Sequence, residues 1–346
     1  MSIDTTMRQA VMTAPGEIAF GETAVPTPGD GQVLMQIQRI GVCGSDVHVY
    51  HGKHPFTPFP VVQGHEFSAQ VVAVGPGVEH VKVGQKVTAT PQEVCGKCRP
   101  CKAGRYNVCE ELKVRGFQAP GVAQDFYVTE ADKIVPLPEH ISYDEGAFVE
   151  PVSVAVHSTG RAGDLTGHNV VIAGAGPIGN LAAQACKIRG ANKVLITDVS
   201  DYRLEIAKAV GIDAVSNVRK ETLPDAVERA FGGEGFDVAM DAAGVEVSVT
   251  ELVKQIDKGG KIVILAVFSE PPRVDMSVLC EHELTICGTM MYRHEDYDQA
   301  VQWIADGAIK LQPLLSKHFP FEQFLEAYHF IDAEGDKTMK VMIDLA

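Results

Sequence analysis

The stretch NVVIAGAGPIGNLAAQACKIRG, residues 169–190, opens on an unbroken apolar run and continues with helical spacing to a terminal glycine. NVVIA reads as a buried strand, and PIGNLAAQACKIRG reads as a helix stopped at Gly190. Between them Gly174, Gly176 and Gly179 form G-x-G-x-x-G, with Pro177 and Ile178 at the start of the helix. That pattern carries weight only at a strand-to-helix turn, which is its setting here. The first glycine allows the tight turn and the second admits a pyrophosphate to the backbone. The third lets helix and strand pack closely, with phosphate at the helix N-terminus. A plain strand–helix turn would not call for the acid that follows. Asp198 ends the next strand, nineteen residues past Gly179, where a carboxylate binds both ribose hydroxyls. A 2′-phosphate would be repelled there and Val199 offers it no cation, so NAD is expected rather than NADP.

Outward from this motif the alternation continues through KVLITDVS, DYRLEIAKAVG, FDVAMDAAG, VEVSVTELVKQIDKGG and KIVILAV, and fades after LTICGTMM (284–291). Strands separated by helices of about ten to fifteen residues predict a parallel, doubly wound sheet covered on both faces. The first 150 residues differ. They are rich in Gly, Pro and β-branched residues, and GQVLMQIQRIG (31–41), FSAQVVAVG (67–75) and QKVTATP (85–91) read as short strands. The fold class is therefore α/β, and 346 residues make two domains the default. The expected division is a β-rich domain from 1–153 and 293–346 and a nucleotide domain from 154–292. Two amphipathic helices near 295–306 and 321–332 and a final strand KVMIDL return to the first domain. A cofactor and a substrate would meet in the cleft between the two.

The net charge of −15 opposes phosphate backbones and acidic lipid surfaces, so neither nucleic acid nor membrane is an expected partner. The start, MSIDTTMRQAVMTAPGE, has no basic segment followed by a long apolar run, and no stretch approaches the ~20 apolar residues of a membrane span. A cytoplasmic protein acting on a small molecule is expected. Eight cysteines then point to metal ligation or catalysis before disulfides.

Half of them fall in CGKCRPCKAGRYNVC, at Cys95, Cys98, Cys101 and Cys109. Four thiolates on a tight loop close a tetrahedron around Zn²⁺ and leave no open position, so this zinc is structural. The chemistry must sit elsewhere. GVCGSDVHVYHG places Cys43, Ser45, Asp46 and His48 close together, and VQGHEF places His65 beside Glu66. A thiolate, an imidazole and a carboxylate suit a second zinc, although a lone His in apolar surroundings is more often a hydrogen-bonded core residue. Glu150, in the apolar run AFVEPVSVA, is a third acid whose burial would be costly without a cation. Cys186, Cys280 and Cys287 lie in apolar runs and are expected in the core.

GVCGSDVH, GHEFSAQVVAVGPGV, the Cys95–Cys109 loop and IAGAGPIGNLAAQ, in this order and over essentially the whole chain, resemble the zinc-dependent medium-chain alcohol dehydrogenase superfamily. Glu150 in FVEP resembles its polyol (sorbitol or L-iditol) branch, a feature shared by threonine and several sugar-acid dehydrogenases. The resemblance implies a GroES-like catalytic domain beside a Rossmann domain, with two zinc ions per chain. It makes Cys43 and His65 catalytic zinc ligands, Glu66 a ligand or a close partner of one, and Glu150 a ligand directly or through water. Asp46 orients the metal histidine. Ser45 contacts the substrate oxygen and His48 passes the proton toward the surface, unless His48 is simply a solvent-exposed strand residue. Arg203 lies beside the adenosine, where an exposed helix arginine is the plain alternative, and the backbone of Leu265, Ala266 and Val267 runs along the nicotinamide. Tyr292 and Arg293 are candidates for substrate contact. Met291 stands where polyol dehydrogenases often carry Arg, and Ala69 replaces a usual Gly. The implied reaction moves hydride from a secondary alcohol of a polyol to NAD, giving a ketose. One rival is a threonine- or sugar-acid dehydrogenase, with His51, His54, Arg115 or Arg293 as the cation that meets a carboxylate. The other is an idle NAD-binding scaffold. A homodimer or homotetramer is expected, with the LTICGTMM edge as one place where copies pair.

Overall fold

The structure is a computed structural model that describes residues 5–345. The stretch that opened the sequence lies at the centre of a six-stranded parallel sheet. In space the strands run Ala214–Asn217, Lys193–Asp198, Asn169–Ala173, Val238–Asp241, Lys261–Ile264 and Thr285–Gly288. Counted along the chain this order is 3-2-1-4-5-6, so the connections reverse direction between Asn169–Ala173 and Val238–Asp241 and open a crevice there. Every residue of Asn169–Ala173 is buried because helices cover both faces, which is why its sequence lacks alternation. The helix Pro177–Ile188 begins with proline in its first turn, where the missing N–H costs nothing.

The β-rich half is organised around the long strand Gln32–Val42. Glu66–Val74 pairs with it antiparallel along one side. Phe126–Glu130 and Lys340–Asp344 share the other side. Lys86–Ala89 and Ile134–Pro136 extend the first side, and Leu315–Pro320 lies parallel to Lys340–Asp344. The three expected N-terminal strands are present, and the last strand does return across the whole nucleotide fold to close this sheet. The helices expected near 295–306 and 321–332 are His294–Ala305 and Phe324–Glu334.

One helix was not foreseen. Val149–Ala162 carries Glu150 in its first turn and is buried along most of its length. It packs on Pro177–Ile188 and on His294–Ala305, and its apolar side chains join one core with Leu181, Tyr297 and Trp303. Of the three cysteines expected in the core only Cys186 is fully buried; Cys280 is exposed and Cys287 half-buried. Both of these sit at the outer end of the parallel sheet. Thr285–Gly288 has a strand neighbour on one side only among the described residues, and the short helix Met276–Glu281 has no fully buried residue. Among the described residues no helix is long and apolar enough to cross a membrane.

Candidate functional site

Antiparallel pairing assembles the first site. Gly41 lies opposite Glu66, so Cys43, two residues on, arrives beside His65 and Glu66. Gly64, with φ 93°, makes the turn into His65, and a Cβ on Gly41 would collide with the Glu66 carboxylate. The ligand atoms of Cys43, His65 and Glu66 lie within 4.8 Å of one another. Asp46, 1% exposed, accepts from the Cys43 N–H at 2.9 Å and places its other oxygen 3.4 Å from His65 Nδ1. With Nδ1 turned to Asp46, Nε2 is left for the cluster. Burial works against a proton on His65, but Asp46 and Cys43 together hold it well above its usual value. A half-buried thiol beside a buried imidazole and carboxylate is a donor set that suits zinc.

The sequence did not reveal the group that balances Glu66. Lys340, 3% exposed, lies 2.8 and 2.5 Å from its two oxygens and donates to the Val42 carbonyl at 3.2 Å. Burial disfavours its charge, yet Glu66, with Cys43 and Glu150, keeps the ammonium above its ordinary value. Nothing in KVMID marks a lysine that works 274 residues upstream.

Glu150 is not within the compact group of three. It is 5% exposed and accepts from the Tyr292 hydroxyl at 2.5 Å. Burial pushes its carboxyl up to about 7, while the nearby His65 lowers it and Glu66 raises it. Tyr292 is fully buried, packed on Tyr297 at 5.0 Å, with its hydroxyl committed to Glu150 rather than open to a substrate. Arg293 pairs with Glu295 at the start of the His294–Ala305 helix. The Ser45 hydroxyl lies 3.1 Å from Cys43 Sγ, and His48 is exposed on the helix Gly44–Tyr50, not on a strand.

The four cations offered for a substrate carboxylate separate clearly. His51 pairs with Asp332 at 3.0 Å, and Arg115 is buried against Glu93, Glu130 and Thr129. Arg293 has Glu295. His54 is different: its ring stacks on Phe117 at 4.9 Å, and Phe117 in turn lies 5.0 Å from the His65 ring. Thr57 fixes its Nδ1 at 2.7 Å, and no carboxylate pairs with it among the described residues. Burial, with His48 and His65 nearby, lowers its pKa.

The four-cysteine loop folds as its spacing suggested. All four sulfurs lie within 4.8 Å and none is in a disulfide. Cys95 and Cys109 sulfurs are 3.5 Å apart and those of Cys98 and Cys109 are 3.9 Å apart. A tetrahedron with Zn–S bonds near 2.3 Å has edges of about 3.8 Å, so zinc fits without rearrangement. Backbone N–H groups of Cys95, Cys98 and Glu111 point at these sulfurs, each at 3.3 Å, as thiolates require.

The glycine turn lies on a cleft of about 620 Å³ lined by Gly174, Gly176, Asp198, Arg203, Ala243 and Ser248, among others. Gly174 has φ 97°, and a Cβ there would meet Ala242 and Ala243 backbone at 2.8 Å. A Cβ on Gly179 would overlap the Gly174 carbonyl. A Cβ on Gly176 would meet only Arg203, at 3.9 Å, so its bareness serves something other than the protein. The Asp198 carboxylate accepts from the N–H groups of Ala175, Val199 and Ser200 at 2.6–2.8 Å, which fixes it and leaves lone pairs for a ligand. Arg203 reaches into the cleft from the helix Asp201–Ala209 and donates to the Gly335 carbonyl at 3.4 Å. Leu265, Ala266 and Val267 follow the strand Lys261–Ile264, with the Leu265 and Ala266 N–H groups on the Asp241 carbonyl.

Comparison with known proteins adds to this geometry. Residues 29–139 match a family model described as the alcohol dehydrogenase GroES-like domain, and residues 177–306 match one described as zinc-binding dehydrogenase. The chain is 33% identical to an L-threonine 3-dehydrogenase of Rhizobium johnstonii, over 98% of this chain and 99% of the relative. It is 34% identical to sorbitol dehydrogenase 1 of Saccharomyces cerevisiae, over 96% of each. It is 34% identical to a 2-dehydro-3-deoxy-L-galactonate 5-dehydrogenase of Pseudoalteromonas atlantica, over 92% of each. Among solved structures, a chain from E. coli CFT073 complexed with NADH superposes with a TM-score of 0.93 at 30% identity, covering 99% of this chain and 100% of that one. A chain from Sinorhizobium meliloti 1021 bound to NADP gives 0.92 at 27% identity, with the same coverage.

Proposed function

This chain belongs to the zinc-dependent medium-chain alcohol dehydrogenase superfamily, and on that premise we propose that it moves hydride from a secondary alcohol of a small polyol to NAD. One zinc is assigned to Cys43, His65 and Glu66 and a second to Cys95, Cys98, Cys101 and Cys109. The observation that carries the reading is the compact Cys43–His65–Glu66 cluster, backed by Asp46. When bound, the metal supplies electrophilic polarisation of a hydroxyl oxygen and the dinucleotide supplies the hydride acceptor.

The chain's own residues do the rest. Asp46 fixes the tautomer and direction of the His65 ring. Lys340 neutralises Glu66, so the cluster carries less negative charge than its thiol and carboxylate alone would give. The Ser45 hydroxyl, beside Cys43, would accept the substrate hydroxyl's proton while passing its own on to His48, which releases it to water at the surface. Glu150, held by Tyr292, is assigned to the remaining side of the site, as a ligand or as the acceptor for a bound water. Gly176 admits the pyrophosphate, Asp198 receives the ribose hydroxyls and so favours NAD over NADP, and Arg203 lies along the adenosine. Leu265, Ala266 and Val267 are assigned to the nicotinamide. We place the protein in the cytoplasm, as a homo-oligomer paired through Thr285–Gly288.

A second reading, a substrate that carries a carboxylate, is favoured by His54, oriented by Phe117 and Thr57 and without an acid partner among the described residues. The threonine and sugar-acid relatives support it by name. The test is NADH formation over a panel of polyols, matched aldonates and L-threonine, with metal analysis. Wild type is expected to turn over at least one polyol. Cys43→Ser should abolish turnover with loss of one metal equivalent, and retention of activity in that variant would overturn the assignment. A preference for the acid over its matched polyol, lost in His54→Gln, would select the second reading.

A further inference from the structure

Met290–His294 joins the last parallel strand to the helix His294–Ala305 and has no regular structure before His294. Its backbone is held at alternate residues by the lobe that contains the four cysteines. Asn107 Nδ2 donates to the Met290 carbonyl at 3.0 Å, and Gln92 Nε2 donates to the Tyr292 carbonyl at 2.8 Å. The His294 N–H donates to the Tyr106 hydroxyl at 2.6 Å. Between these points Met291 adopts φ 50°, a conformation that residues other than glycine seldom hold without being made to. Met291 also packs against both hydrophobic cores, so the segment sits at the seam of the molecule.

We propose that the four-cysteine lobe is a positioning element of the catalytic site: through Gln92, Tyr106 and Asn107 it fixes Met290–His294, and through that segment it aims the Tyr292 hydroxyl at Glu150. The lobe is itself well anchored for this. Asn107 and Gln92 are 6% and 4% exposed. Asn107 sits in the turn Tyr106–Val108, which ends on the ligand Cys109, so ligation of that sulfur sets where Tyr106 and Asn107 stand. His157 Nδ1 donates to Asp296 at 2.8 Å, leaving Nε2 to accept from Asn107 at 3.4 Å and tying the turn to two helices. Nothing in this chain of contacts touches the dinucleotide cleft. The inference rests on the reading of Glu150 and Tyr292 given above.

The experiment uses full-length, metal-loaded Asn107→Ala and Tyr106→Phe, each alone and combined with Tyr292→Phe. Asn107→Ala should lower kcat about ten-fold, the scale of a small misplacement at a reacting centre. The KM for NAD should not move. In the Tyr292→Phe background the loss should vanish, because both changes act through one hydroxyl. Hydrogen exchange of the amides in 288–296 should quicken in both variants while 169–190 stays protected. Tyr106→Phe removes one acceptor at the protein surface and carries the test if Asn107→Ala fails to fold. Losses that multiply with Tyr292→Phe, or unaltered exchange in 288–296, overturn the proposal. The exchange measurement needs no substrate, so a wild type inert toward every alcohol would sink the proposed reaction and leave this inference to be decided by exchange.

Discussion

Lys340 and Glu66 form a pair whose two members were not equally visible in the sequence. Glu66 stands beside His65 in a stretch that already suggested a metal, whereas Lys340 begins a run, KVMID, that reads as an ordinary strand. A lysine 3% exposed is a statement about its partner, and the partner is brought by a sheet pairing that no local pattern encodes. Lys340→Met should therefore destabilise the protein by about 3–5 kcal/mol, because it strands a buried carboxylate. Urea unfolding measures this, and a change below about 1 kcal/mol would mean that the pair is solvated. Glu66→Gln with Lys340→Met should recover part of the loss, since the remaining groups no longer carry a bare charge. The cysteines divide in the same way. Burial pushes the Cys186 thiol up to about 12, while Cys280 is exposed. With both metal sites loaded, a maleimide at neutral pH should label Cys280 first and leave Cys186 intact until unfolding, as peptide mass spectrometry would report.

At the scale of elements, the glycine turn and the four-cysteine loop were legible because each is a short-range device. G-x-G-x-x-G and C-x₂-C-x₂-C-x₇-C fix their geometry within a few residues, and the structure realises both. The Val149–Ala162 helix was not legible: it is buried along most of its length, so polar residues such as Glu150, Ser153 and His157 lie inside and mark no solvent face. The three lobe contacts to Met290–His294 were equally hidden, since Gln92 belongs to no motif and Tyr106 and Asn107 are spacer positions of the four-cysteine run. The two glycines of the turn make separable predictions. Gly179→Ala drives a methyl into the Gly174 carbonyl and should cost about 1–3 kcal/mol of stability as well as dinucleotide affinity. Gly176 has φ −63° and open space before it, so Gly176→Ala should leave stability within about 0.5 kcal/mol and still weaken NADH binding. Calorimetry with NADH titration checks both, and equal melting losses in the two variants would contradict the separation. Cys98→Ser should lose one metal and lower the melting temperature by more than about 5 °C, because a closed metal loop is part of the fold.

Across the whole molecule, the change of periodicity showed a β-rich half and a parallel half and the return of the last strand to the first, whereas the side-chain contacts that strand brings, Lys340 to Glu66 among them, could not be read. Thr285–Gly288 leaves one edge of the parallel sheet without a strand partner among the described residues, and Met290 next to it is 48% exposed. Thr285→Lys, at the exposed start of that strand, should shift the protein to smaller assemblies in light scattering; an unchanged mass would place the contact elsewhere. The closing strand has a different outcome. During synthesis Glu66 emerges from the ribosome long before Lys340, with the entire nucleotide fold to be translated in between. For that interval the nascent β-rich half lacks both an inner strand and the countercharge for its acid. That half can reach its final sheet only once the intervening fold has been translated.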